Sequence, residues 1–142
     1  MPLESHKSHA RSGELTVRTE RRIQLLDVTA AVAKLVQDAG VHSGTCYVYV
    51  PHTTAGVIVN ENADPDVAAD IEAALARMVP EEANYRHGEG NSDSHIKTAL
   101  VGTSATIFVS EGRLELGRWQ GIFFCEFDGP RTRRLRVKVI SD

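Results

Sequence analysis

Apolar positions recur along the chain with two periods, and the change from one to the other marks the elements. A strand-like stretch opens at Thr16-Val17 and runs to about Leu26. Asp27 or Thr29 then caps a helix whose Val28, Val32, Leu35 and Val36 recur at helical spacing, and Gly40 ends it in the left-handed manner. Residues 45–50, TCYVYV, are aromatic and β-branched and apolar on both faces, which predicts a central strand covered on both sides. After Pro51 a turn leads to a second strand, Gly56 to Asn60. Asp64-Pro65 is a cap followed by proline at the first helical position, and Val67, Ile71, Leu75 and Val79 give one face of that helix up to Pro80.

Residues 81–94, EEANYRHGEGNSDS, have no period and read as a long loop, the kind of segment that carries function in a compact domain. A short helix follows from His95 to Leu100, capped by Ser92, Asp93 or Ser94. Beyond Thr103 the pattern is strands: Thr106 to Val109, Ile122 to Phe127 and Leu135 to Ile140, with a turn at Glu111-Gly112-Arg113. In the last strand Arg134, Arg136 and Lys138 share one face and Leu135, Val137 and Val139 the other, the alternation of a half-buried antiparallel strand.

The chain has 142 residues, 42% of them hydrophobic and 25% charged, values of an ordinary globular protein of one domain. Residues 1–12 read as a loose polar tail and 13–142 as the domain. A net charge of −3 argues against nucleic acid held by overall charge, and the basic face of the last strand reads as a solvated surface. No apolar run is long enough to cross a bilayer and the polar start is no signal peptide, so a cytoplasmic protein is expected. Cys46 and Cys125 lie among strand residues and read as buried, reduced thiols.

Polar residues concentrate where strands and helices end, the usual address of catalysis. These places are Pro51-His52-Thr53-Thr54, the run from Asn60-Glu61 to Asp66, and His87 to His95. Asp64 and Asp66 have helix-capping duties, whereas Glu61 has none. In the third segment His87, Asn91, Asp93 and His95 put two imidazoles and a carboxylate among glycines. With His52 they make a possible three-histidine set for zinc or another divalent ion, although the spacing matches no standard zinc module. Such a set requires ring nitrogens within about 3–5 Å of one another. Glu126 shares a face with Ile122 and Phe124 and so needs a partner, for which Arg113 and Arg131 are candidates. Trp119 suits a core plug or an interface anchor, and the apolar run after it favours the plug.

The segments HTTAGVIVNENADPDVAAD, HGEGNSDSHIK and SATIFVSEGRLELGRWQGIFFCEFDGPR closely resemble the YjbQ-like family, often labelled secondary thiamine-phosphate synthase, from about Thr16 to Ile140. Arg118 stands where that family commonly has threonine. The resemblance implies an α+β fold, a single-domain antiparallel β-sandwich flanked by helices, assembled as a homotrimer. It also implies a polar pocket lined by His52, Asn60-Glu61 and the His87-to-His95 segment, near the subunit interface. The activity it implies joins a hydroxymethylpyrimidine diphosphate to a thiazole phosphate and releases pyrophosphate.

Three readings of the residues follow. In a transferase, Thr53, Asn60, Arg86, Arg113 and Arg131 would hold the phosphorylated substrate, His52, Glu61, Asn91 and Asp93 would act at the reacting centre, and a divalent metal, zinc or magnesium, would sit on His52, His87 and His95. In a metal-dependent hydrolase or lyase, Glu61 or Asp93 would be the general base. In a non-catalytic trimer the same loops would grip a small anion. The chain lacks a glycine-rich phosphate loop with a lysine, so the diphosphate reading fits only in part.

Overall fold

The computed structural model describes residues 10–142, and the tail expected over 1–12 lies mostly outside them. Its last three residues belong to a strand. The elements are β1 (Ala10–Arg18), β2 (Gln24–Asp27), α1 (Thr29–Ala39), β3 (Gly44–Tyr49), β4 (Ala55–Glu61), α2 (Pro65–Met78), α3 (Ser92–Val101), β5 (Ser104–Ser110), β6 (Arg113–Leu114), β7 (Gln120–Glu126) and β8 (Thr132–Ser141). They form two antiparallel sheets, β1-β8-β3-β5-β6 and β2-β7-β4, so the α+β sandwich with flanking helices is realised.

The main core lies between the sheets. It joins Leu135, Val137 and Val139 of β8, Cys46 and Val48 of β3, Ile122 and Phe124 of β7 and Val57 of β4 with Val32 and Val36 of α1. A second cluster on the outer side of the smaller sheet packs Leu25, Phe123, Cys125 and Phe127 against Leu75 of α2. Strand β7 is thus buried on both faces. The sequence assigned that role to TCYVYV. That strand is central, between β8 and β5, but one face is open, with Tyr47 44% and Tyr49 50% exposed. Tyrosine is apolar enough to look like core and polar enough to stand in water, so its side of the strand is not legible from composition.

The single strand expected from Thr16 to Leu26 is two. β1 pairs with β8 and β2 with β7, so the chain changes sheets between Arg18 and Gln24. Asp27 and Thr29 act at the start of α1 together: the Asp27 carboxylate accepts from the Thr29 backbone N–H at 2.9 Å, and Gly40 closes the helix at φ 68°. Asp64 caps α2 by accepting from the Asp66 N–H. Gly44 is required by close approach, since a Cβ there would lie 2.0 Å from the carbonyl oxygen of Ile140 on β8.

Trp119 is no core plug. It is 54% exposed, with the Arg118 guanidinium 4.7 Å from its ring centroid. No helix of the described residues is long and apolar enough to cross a membrane. Both cysteines are free and buried, and burial pushes the Cys46 thiol up to about 11 and that of Cys125 up to about 12. Thiol titration of the folded protein should therefore show almost no reaction at pH 8, with both groups reacting on denaturation; rapid labelling before unfolding would contradict this core.

Candidate active site

The organising feature of one end of the sandwich is an ion pair between the sheets. Glu126 points from β7 into the main core and Arg133 points inward from β8, having the same parity as Leu135 and Val137. Arg133 donates through Nε to Glu126 Oε1 at 2.9 Å and through Nη2 to Oε2. Thr19 donates its hydroxyl to Oε1 at 2.7 Å, and Arg133 also reaches the hydroxyl and carbonyl oxygens of Thr54 at 2.8 and 3.2 Å. The partner of Glu126 is therefore neither Arg113 nor Arg131. Burial opposes its charge, but hydrogen bonds from Arg133 and Thr19 outweigh that and hold its pKa below the usual carboxylate value.

A second buried pair fixes the start of α3. Asp93 is fully buried and accepts both guanidinium nitrogens of Arg22 at 3.0 Å, while Lys97, one turn on, donates to the same carboxylate. Burial again opposes the charge, and the Arg22 and Lys97 hydrogen bonds lower the pKa despite it. A general base has to reach its proton. Asp93 cannot, so its expected catalytic role gives way to anchoring α3. Neither does it cap the helix, which begins three residues earlier than expected, at Ser92, after Asn91.

Around these anchors the sequence-derived residues separate into groups. Thr54 accepts from the Phe127 N–H, the Ser94 hydroxyl donates to the Phe127 carbonyl, and Asn91 donates through Nδ2 to Asp128 at 2.9 Å. The His52-Thr53-Thr54 turn, Asn91 and the start of α3 therefore gather around the end of β7. Arg131 joins them, binding the Asp128 carboxylate at 3.0 Å and its carbonyl at 2.7 Å. His52 is half-buried, and its Nε2 accepts from the Arg134 backbone N–H at 2.9 Å. Thr53 is exposed beside it.

His87 and His95 meet edge to face with ring centroids 5.5 Å apart. With Tyr85, Arg86, Ser92 and Ile96 they line an open cleft of about 400 Å³ against the start of α3. Asn91 leaves its buried Oδ1 without a hydrogen-bond partner among the described residues. No side chain caps the helix here; the Asn91 carbonyl takes the Ser94 and His95 N–H groups, and the positive end of the helix lies beside the cleft.

Other candidates lie elsewhere. Asn60 and Glu61 end β4, whereas His52 precedes its start, and the seven-residue strand puts about 20 Å between them. Asn60 is engaged locally, accepting from the Glu61 N–H. Arg113 pairs with Ser110 at the sheet edge beside a groove under α1, near the start of β3 and away from His52. Among the described residues no three His, Cys, Asp or Glu side chains form a group that could hold a metal ion. One chain thus offers the His87–His95 pair, not the expected triad. A closed zinc site needs more ligands than a pair supplies.

Arg22, Thr19, Lys97, Asp128 and Arg133 were not singled out from the sequence. Two had a visible signal: the i, i+4 spacing of Asp93 and Lys97, and the parity of Arg133 with the apolar face of β8.

An antiparallel two-sheet sandwich with an uncapped helix and a histidine cleft at one end defines the class of protein. The model of the UPF0047 protein YjbQ-like family matches residues 13–142, and the chain belongs to that family. It is 49% identical over 126 residues to a UPF0047 protein of Methanocaldococcus jannaschii, covering 89% of this chain and 91% of the relative. It is 46% identical to UPF0047 protein YugU of Bacillus subtilis, covering 89% and 97%. A crystal structure of a YjbQ/UPF0047 protein from Clostridium acetobutylicum superposes with a TM-score of 0.88 at 49% identity, covering 89% of this chain and 98% of that one. A YbjQ-like protein of unknown function from Sulfolobus solfataricus gives 0.90 at 29% identity, covering 94% and 98%.

Two outcomes follow from the buried pairs. Removing one partner, as in Arg133→Met, should cost about 3–5 kcal/mol in denaturant unfolding because Glu126 is left charged and buried. Asp93 and Glu126 have folded pKa values below their unfolded ones. Their contribution is complete above the unfolded carboxylate range of about 4 and is lost as pH falls through the folded values. Asp93→Asn and Glu126→Gln should therefore flatten the acid side of the stability–pH curve.

Proposed function

We propose that this chain is an enzyme acting on a phosphorylated small molecule in the cleft at the start of α3. The observation that carries the reading is the uncapped α3 N-terminus opening onto Arg86, His87, Ser92 and His95. Free N–H groups and a helix dipole favour phosphate, and a nearby guanidinium supplies the charge complement. Arg131 and Asn91 stand at the same end of the sandwich.

Resemblance to secondary thiamine-phosphate synthase makes the reaction a joining of hydroxymethylpyrimidine diphosphate to thiazole phosphate with loss of pyrophosphate. In that step the pyrimidine methylene exchanges its bond to the diphosphate oxygen for one to the thiazole nitrogen. The residues of the cleft would hold the departing diphosphate. A divalent ion belongs to this reading as one that arrives with the diphosphate, in the manner of magnesium held largely by phosphate oxygens and water. The His87–His95 pair favours a second reading, a metal-assisted hydrolase, if another chain adds a ligand.

Assembly as a homotrimer is part of the proposal, with a second copy seated on the open face of the larger sheet. There Tyr47, Tyr49 and Phe108 are 44%, 50% and 65% exposed beside Arg134 and Arg136, a composition typical of subunit contacts. A cytoplasmic setting accords with two unpaired buried thiols.

The test is turnover of the two substrates with Mg²⁺, read as pyrophosphate release. Arg86→Ala should weaken diphosphate binding about tenfold or more, from the 1.5–3 kcal/mol of a hydrogen bond to a charged group. Zinc-dependent release of phosphate without coupling would replace the first reading by the second. Tyr49→Glu should lower the mass seen by light scattering, and an unchanged mass would move the contact off this face.

A further inference from the structure

His52 has only one ring nitrogen to offer. Its Nε2 accepts from the Arg134 backbone N–H at 2.9 Å, and a nitrogen that accepts keeps its lone pair and carries no proton. The neutral ring must then hold its proton on Nδ1. The dipeptide Arg133-Arg134 clamps the whole turn. The Arg134 backbone meets the ring, and the Arg133 side chain, itself gripped by buried Glu126, holds both oxygens of Thr54 two residues further on.

The charges nearby favour the uncharged ring. Partial burial and the guanidinium groups of Arg133 and Arg134 lower the His52 pKa, and Glu126 pulls the other way. Glu126, however, is already paired with Arg133, and Glu14 on β1 stands 3.8 Å from the Arg134 guanidinium. Protonating Nε2 would also break the bond from Arg134.

We propose that His52 is held as the Nδ1–H tautomer and presents that N–H as a neutral hydrogen-bond donor to an acceptor oxygen of the bound molecule, with Arg133 as its positioning residue. This rests on the reading of the same end of the sandwich as a phosphate site. It also removes His52 from any metal set, because Nε2 is engaged and a protonated Nδ1 has no lone pair for a cation. A phosphate oxygen or a ring carbonyl is the matching ligand chemistry.

The experiment is a long-range proton–nitrogen spectrum of the full chain labelled with ¹⁵N-histidine, with His52 assigned through His52→Gln. The expected result is a protonated Nδ1 and an unprotonated Nε2 at pH 7.5; the reverse pattern overturns the proposal. Inorganic phosphate should then shift the Nδ1–H resonance. Shifts at His87 and His95 without one at His52 leave the phosphate site standing and sink the donor role, whereas no shift at any of the three sinks the site itself. Arg133→Lys keeps a buried cation but cannot span Glu126 and Thr54 together. It should mix the two tautomers of His52 while leaving the signals of His87 and His95 in place, and restoring neither tautomer's dominance by phosphate. A His52 spectrum unchanged in that variant removes Arg133 from the positioning role. Added Zn²⁺ should perturb His87 and His95 only, and a metal-shifted His52 also overturns the proposal.

Discussion

The Arg133–Glu126 pair is the constraint from which the candidate site takes its shape. It is sealed between two sheets, where water cannot repay its desolvation, and hydrogen bonds from Thr19 and from the Phe127 and Asp128 N–H groups, with those to Thr54, complete it. A pair of matched apolar residues could serve stability as well. What the ion pair adds is direction: four chain segments, β1's end, the turn before β4, β7 and β8, must meet at one point for its polar atoms to be satisfied. That point sets the turn carrying His52.

Asp93 plays the corresponding part for α3. Its carboxylate joins Arg22, from the crossing between β1 and β2, to Lys97 on the helix itself. The buried charges and the exposed polar groups at this end therefore do different work. The inner ones, Glu126, Arg133, Asp93 and Lys97, are satisfied and inert. The outer ones, Arg86, His87 and His95, keep their polar atoms toward the cleft beside an uncapped helix end. Rigid support beneath a polar rim is what a preorganised site requires.

Burial is distributed unevenly between the two sheets. The three-stranded sheet is covered on both faces, by the main core and by α2, whereas the five-stranded sheet is covered on one. Its open face alternates cations with aromatic rings, and the β8 row of Arg134, Arg136 and Lys138 stands beside the β3 row of Tyr47 and Tyr49. Family membership is carried by the fold and by the loop segments, while this face leaves aromatic rings and cations in water where the smaller sheet has none.

Much of the architecture was legible because it follows from local chemistry. Helical spacing located α1 and α2, Gly40 and Asp64 marked their ends, and alternation assigned the two faces of β8. The solitary carboxylate of Glu126 on an apolar face announced a buried partner. Local pattern could not choose that partner, since pairing across the sandwich depends on register and on which strand faces which. For the same reason it could not tell that β7, not β3, is covered twice, or that seven residues of β4 hold Glu61 away from His52. The sequence by itself determined α1, α2, the alternation of β8 and where polar chemistry gathers along the chain, but not the break between β1 and β2 or the start of α3. Only the tertiary structure decided which of those groups are neutralised in buried pairs and which stay open to a ligand, because desolvation and hydrogen-bond satisfaction are properties of neighbours in space.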